Sequence, residues 1–215
     1  MTSHVGTEPP LGPRSARKRQ AILDAAAKVF LSEGFAGASM DAIAAAAGVS
    51  KPTVYNHFAD KQQLFEQIVT DMIASITQPF YDQIVNLSED GDLAEHLREL
   101  ARLLLTGVMQ PANLQLRRLV IGEANRFPGL GRAYERQGPQ RAVAAWTTAF
   151  KRLAEKGLLR IEDPALAAEH FNWLVLSAPL NHAMFSGEDR PPRRAQLKRY
   201  TDSAVGVFLA AYGGE

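Results

Sequence analysis

An all-α fold of about nine helices is what three features of the sequence predict. Apolar residues recur at helical spacing in one segment after another, and capping residues stand at the heads of those segments. Nowhere do apolar and polar residues alternate as a half-buried strand requires. The expected organisation is an N-terminal three-helix head containing a helix-turn-helix, followed by a larger helical body. At 215 residues and 46% hydrophobic composition, the chain can bury a substantial core in one or two domains.

Residues 1–13 are rich in Pro, Gly, Ser and Thr with few apolar anchors, so they are expected to form a disordered arm. The basic run Arg14 to Arg19 follows, and a first helix is expected from about Ser15 to Glu33. Its buried face is Ile22, Ala25, Ala26, Val29 and Phe30, and Gly34 ends it. Met40 to Ala47 is alanine-rich and has Ser39 as its N-cap, so it reads as a second helix. Gly48 supplies the left-handed conformation that ends it, Ser50 caps a third helix, and Pro52 falls in that helix's first turn. Asp60 with Gln63 opens a fourth helix, expected to bend or stop at Pro79. Domain boundaries follow: 1–13 the arm, 14–61 the head, and 62–215 the body, with the helix from 61 linking the last two.

The body continues as helices. Asp92 with Glu95 caps one that runs to about Met109, and Pro111 breaks the chain before a helix from Leu114 to Arg126. Phe127-Pro128-Gly129 stops that helix, and a short piece spans Leu130 to Gln137. Gly138-Pro139 opens a long helix closed by Gly157, Asp163-Pro164 opens one perturbed at Pro179, and Pro191-Pro192 introduces the last, to about Tyr212. Asn86-Leu87-Ser88 matches a glycosylation sequon, discounted because no secretory signal precedes it.

The two short helices around Gly48 carry the functional signal. Val54 and Phe58 share the inward face of the second, which leaves Lys51, Pro52, Thr53, Tyr55, Asn56 and His57 outward. A helix in the major groove needs short polar groups for base edges and cations or hydroxyls for phosphates. Lys51, Pro52, Thr53 and Asn56 suit base edges; Ser39, Tyr55, His57, Lys61, Arg17 and Lys18 suit phosphates. An ordinary helical hairpin with a solvated polar face fits the spacing equally well. The arm and its basic run likewise read either as a phosphate contact or as a solubilising tail.

The wording of the segment separates these readings. AGVSKPTVYNHFADKQQLF resembles the recognition region of the TetR family of transcriptional regulators, and AILDAAAKVFLSEGFAGASMDAIA resembles that family's first two helices. The resemblance spans about Arg17 to Asp71. QLRRLVIGEANRFPGLGRAYERQGPQ and the stretch on to NHAMFSG are similar to the C-terminal domain of the family's AefR-like branch. Asn56 departs from the pattern, since many members carry an aromatic residue there. The resemblance implies a double-stranded DNA operator, a homodimer formed through the last two helices, and a body that takes a small-molecule effector.

For that effector the bulky residues Phe127, Trp146, Phe150, Phe171 and Trp173, with Glu123 and His170, are the candidate pocket set. Each also has a plainer reading: the aromatics as core, Glu123 as partner of Arg126 three residues on, and His170 as a structural or surface group. Net charge is only +1, but residues 14–61 hold seven basic against four acidic side chains, a local excess suited to DNA.

The sequence has no cysteine, so disulfides and thiolate zinc sites are excluded. Five histidines without paired ligand spacing, and no His-Glu-x-x-His, Gly-x-Ser-x-Gly or phosphate-binding glycine loop, leave no expected metal, cofactor or enzyme activity. No apolar run is long enough to span a membrane, and no signal-peptide core opens the chain, so a cytoplasmic location is expected. The reading is a sequence-specific DNA-binding regulator, a homodimeric repressor released from a palindromic operator by a mainly apolar effector. An activator or architectural DNA-binder without an effector, and a small-molecule-binding protein that leaves the hairpin unused, are the alternatives.

Overall fold

The computed structural model describes residues 12–85, 91–186 and 193–214. Most of the arm, the sequon at Asn86-Leu87-Ser88 and the Pro191-Pro192 pair lie outside the described residues. Ten helices are present among the described residues: α1 (Pro13–Gly37), α2 (Met40–Ala47), α3 (Lys51–His57), α4 (Lys61–Val85), α5 (Leu93–Val108), α6 (Pro111–Glu123), α7 (Pro128–Gln137), α8 (Pro139–Glu155), α9 (Pro164–Ser186) and α10 (Arg194–Tyr212). The all-α class holds, with the short piece before Gly138 as a helix in its own right. The chain divides into two compact units, one ending at Ile68 and the other beginning at Val69.

In the first unit, α1 starts at Pro13, so the basic run Arg14 to Arg19 is helical rather than part of an arm. Its regular backbone breaks at Gly34, whose φ of 72° only glycine adopts cheaply. Ser39 caps α2 by accepting the Ala42 N–H at 3.1 Å, and Gly48 closes it with φ 65°. The Ser50 hydroxyl bonds the Thr53 hydroxyl at 2.8 Å instead of the backbone. Asp60 caps α4 through the Gln63 N–H at 2.8 Å, while Gln63 reaches back to the Ala59 N–H. Ile22, Phe30, Ile43, Val54, Phe58, Leu64 and Phe65 are buried together as the core. Phe30, Phe35 and Phe65 form a ring trio with centroids 4.7–5.8 Å apart.

The second unit packs α8 on α9, and α10 on both α5 and α9. Its centre is a run of interlocked rings: Phe80 on Trp146 at 5.3 Å, Trp146 on Phe171 at 4.6 Å, and Phe208 on Phe150 and Phe171 at 4.9 Å each. Leu159 pairs with Gly213 in a single antiparallel bridge, which ties the end of α10 to the turn after α8.

Several prolines act differently from their sequence reading. Pro111 and Pro128, expected as breaks, are the first residues of α6 and α7, where the missing N–H has no helical partner to lose. Helix α4 continues through Pro79 to Val85, and α9 continues through Pro179 to Ser186. Each interior proline removes one backbone hydrogen bond, and the packing of these long helices tolerates that loss.

Candidate nucleic-acid interface and body cavity

The candidate reading face stands on α3. Val54 and Phe58 are buried, so Lys51, Pro52, Tyr55 and Asn56 are left exposed along one side, while Thr53 and His57 are half-buried at its edges. Lys51 donates to Asp41 of α2 at 2.9 Å. That hydrogen bond and the Asp41 charge hold the Lys51 ammonium above its usual value, so it is charged throughout the neutral range. The pair is exposed, and exchanging Asp41 for another acceptor is cheap. Ser39 keeps its hydroxyl proton free to donate, because its oxygen serves only as the cap acceptor. Arg17 and Lys18 are exposed on α1, whereas Arg19 lies over the Phe58 ring at 5.2 Å.

Lys61 departs from its expected role. Its ammonium donates to the carbonyls of Phe35 at 2.7 Å and Ala38 at 2.8 Å, and rests 4.6 Å from the Phe35 ring centroid. A cation there satisfies carbonyls left over where α1 ends. In this fold Lys61 acts as a capping group, with its ammonium turned to carbonyls rather than left free for a phosphate.

The body cavity also differs from the expected set. Trp146, Phe150 and Phe171 are fully buried, their faces covered by one another and by Phe208, so they are core and leave no ring face for a ligand. Phe127 has Arg126 over its ring at 5.3 Å, which is where the guanidinium expected beside Glu123 goes. Glu123 ends α6 and its carbonyl accepts from Phe127 N–H. His170 hydrogen-bonds the Tyr212 hydroxyl at 2.7 Å, at the outer surface of α9 and α10. Of the expected pocket residues, Trp173 alone lines the small, partly open cavity of about 60 Å³ between α4, α5, α6, α7, α8 and α9.

The cavity wall is chiefly apolar, from Ile73, Leu104, Val108 and Leu176. Arg117, Tyr134 and Asn172 add polar groups that sequence reasoning missed. Arg117 lies over the Tyr134 ring at 5.6 Å. Burial pushes the Tyr134 hydroxyl above its ordinary value despite the Arg117 charge, so it remains protonated. Asn172 is 1% exposed, and its Oδ1 has no hydrogen-bond partner among the described residues. Leaving such an acceptor unsatisfied costs about 1–3 kcal/mol. The signal that was available is its place: an amide between Phe171 and Trp173 in an otherwise apolar run.

A short exposed helix held across a glycine turn by a packed three-helix head is the architecture of a helix-turn-helix DNA-binding protein. Residues 22–68 match the family model for bacterial regulatory proteins of the tetR family, and residues 95–214 match that of the AefR-like transcriptional repressor C-terminal domain. The chain belongs to the TetR family of transcriptional regulators, with an AefR-like body.

A TetR-family transcriptional regulator of Mesorhizobium loti has a solved structure that superposes with a TM-score of 0.87 at 40% identity, covering 94% of this chain and all of that one. The flavonoid-responsive regulator FrrA superposes with a TM-score of 0.75 at 28% identity, covering 92% of this chain and 98% of its own. The transcriptional activator FasR of Mycolicibacterium smegmatis is 40% identical over 70 residues, 31% of this chain. That match spans 32% of FasR, and the chain covers about a third or less of the first curated relatives it matches. Among the described residues, no helix is long and apolar enough to cross a membrane.

Proposed function

We propose that this regulator is a homodimeric, sequence-specific repressor that leaves an approximately palindromic operator when a small, mainly apolar effector occupies the body. The observation that carries the reading is the exposed row Lys51, Pro52, Tyr55 and Asn56 on a helix whose other face is buried. In this reading residues 14–61 read DNA, with Lys51, Pro52, Thr53 and Asn56 at base edges. Ser39, Tyr55, His57, Arg17 and Lys18 hold phosphates, and residues 62–215 dimerise and take the effector.

Dimerisation through α9 and α10 is supported by the large apolar groups those helices expose, including Leu166, Leu174 and Val207. One reader helix contacts too few bases for specificity, whereas two fit successive major grooves about 34 Å apart. The effector must bind the DNA-free state better than the DNA-bound one to cause release. FrrA's description as flavonoid-responsive supports a ligand-taking body. A cytoplasmic location follows from a chromosomal operator. FasR, described as an activator, favours one second reading: the same face recruiting transcription rather than blocking it.

Selection of DNA from a random duplex library tests the core of this. An inverted repeat is the expected outcome; no enriched sequence, with binding that fades as salt rises, refutes specific reading. On the selected site, Tyr55→Phe is expected to weaken operator and scrambled DNA alike, and Thr53→Ala to weaken the operator alone. Equal losses for Thr53→Ala would remove Thr53 from the base readers.

A further inference from the structure

The body cavity contains a polar arrangement that its apolar wall does not explain. Among the described residues, Arg117 is the one charged side chain lining it, is half-buried, and forms no ion pair. No carboxylate stands in the wall among the described residues. A guanidinium so placed repels cations and favours an anion, which its planar fork binds with two parallel hydrogen bonds. Its guanidinium carbon lies 5.6 Å from the Tyr134 ring centroid, a contact that keeps the charged end beside the wall.

Asn172 adds the second requirement. Its amide is buried at the same wall with an acceptor left unpaired. A hydroxyl can donate to the amide oxygen or accept from the amide nitrogen, so it satisfies this group whichever way the amide is turned.

Access involves the same residues. Arg117 and Trp173 also line an open groove of about 510 Å³ with Ser177, Asn181 and Met184. The small cavity alone holds only a few waters, well short of an organic ligand. Joining it to the groove takes movement of Arg117 and Trp173, the side chains common to both. An anion that captures Arg117 therefore holds the wall open, and the rings of Tyr134 and Trp173 suit a flat body.

We infer that this cavity selects flat, mainly apolar molecules carrying both an anionic group, held by Arg117, and a hydroxyl, held by the Asn172 amide. This rests on the reading that the body takes a small-molecule effector, and it specifies that effector's chemistry.

Calorimetric titration of the full chain with 6-hydroxy-2-naphthoate, its methyl ester and 2-naphthoate tests it. The hydroxy acid is expected to bind roughly tenfold more tightly than either relative. Arg117→Met should erase the advantage of acid over ester and keep that of the hydroxyl; Asn172→Leu should do the reverse. An ester or an unhydroxylated acid binding as tightly as the hydroxy acid would overturn the inference, as would no binding of the hydroxy acid. Because this comparison is made within the wild-type protein, a variant that folds poorly does not blunt it.

Release of a labelled, selected operator, followed by anisotropy, separates the two layers. Class preference in calorimetry without release sustains the cavity chemistry and refutes effector control. Release by the ester, unchanged in Arg117→Met, sustains effector control and refutes the cavity chemistry.

Discussion

Each compact unit sets a cation over an aromatic ring, to opposite ends. In the first, the Lys61 ammonium lies over Phe35 and donates to the Phe35 and Ala38 carbonyls. In the second, the Arg117 guanidinium lies over Tyr134 with no carboxylate in ion-pair reach among the described residues. The ring contact alone therefore says little about role. What decides it is the hydrogen-bonding capacity left over: Lys61 faces inward with its donors occupied, and Arg117 faces a cavity with donors to offer.

The largest expected effect lies at the centre of the ring core, where packing rather than hydrogen bonding decides the role. Trp146 is 0% exposed and touches Phe80, Phe150 and Phe171. Trp146→Ala should lower the stability of the body by about 3–5 kcal/mol in denaturant unfolding. A loss below about 1 kcal/mol would mean that the ring faces open space and restore it to the pocket. Next comes Lys61→Met, expected to cost about 1.5–3 kcal/mol because charged hydrogen bonds to carbonyls are lost. Its DNA affinity should keep the same salt slope as the parent protein; a slope reduced by about one would return Lys61 to the phosphate contacts. The smallest effect is Arg117→Met, which should change unfolding free energy by less than about 1 kcal/mol, the scale of a single ring contact without an ion pair. A larger loss would make Arg117 structural and erase its contrast with Lys61.

The same distinction explains what the sequence made legible. Caps at Ser39, Asp60, Asp92 and Asp163 and the glycine at position 48 act within a few residues of themselves, and their helices begin and end close to where expected. The outward face of α3 was legible too, because its residues fall within one seven-residue helix. Lys61 was not, since the carbonyls it caps lie 23 and 26 residues earlier. Prolines misled at Pro111 and Pro128, because a proline can stop one helix or start another, whereas Pro139 and Pro164, each behind a turn or cap signal, were legible as starts. The cavity wall was the least legible part. It draws on six helices, and helical spacing cannot tell a ring that closes a core, such as Phe171, from one that borders a void, such as Trp173 two residues on.

The chain has two tryptophans, and they sit in opposite surroundings: Trp146 is 0% exposed and Trp173 is 44% exposed. Their emission should therefore separate into a blue, quencher-resistant component and a red one that iodide suppresses. Trp173 belongs to the cavity wall and to the outer surface of α9 and α10 at once. The red component alone thus becomes a built-in optical channel, through which occupancy of the cavity and covering of that surface can be followed without attaching any dye.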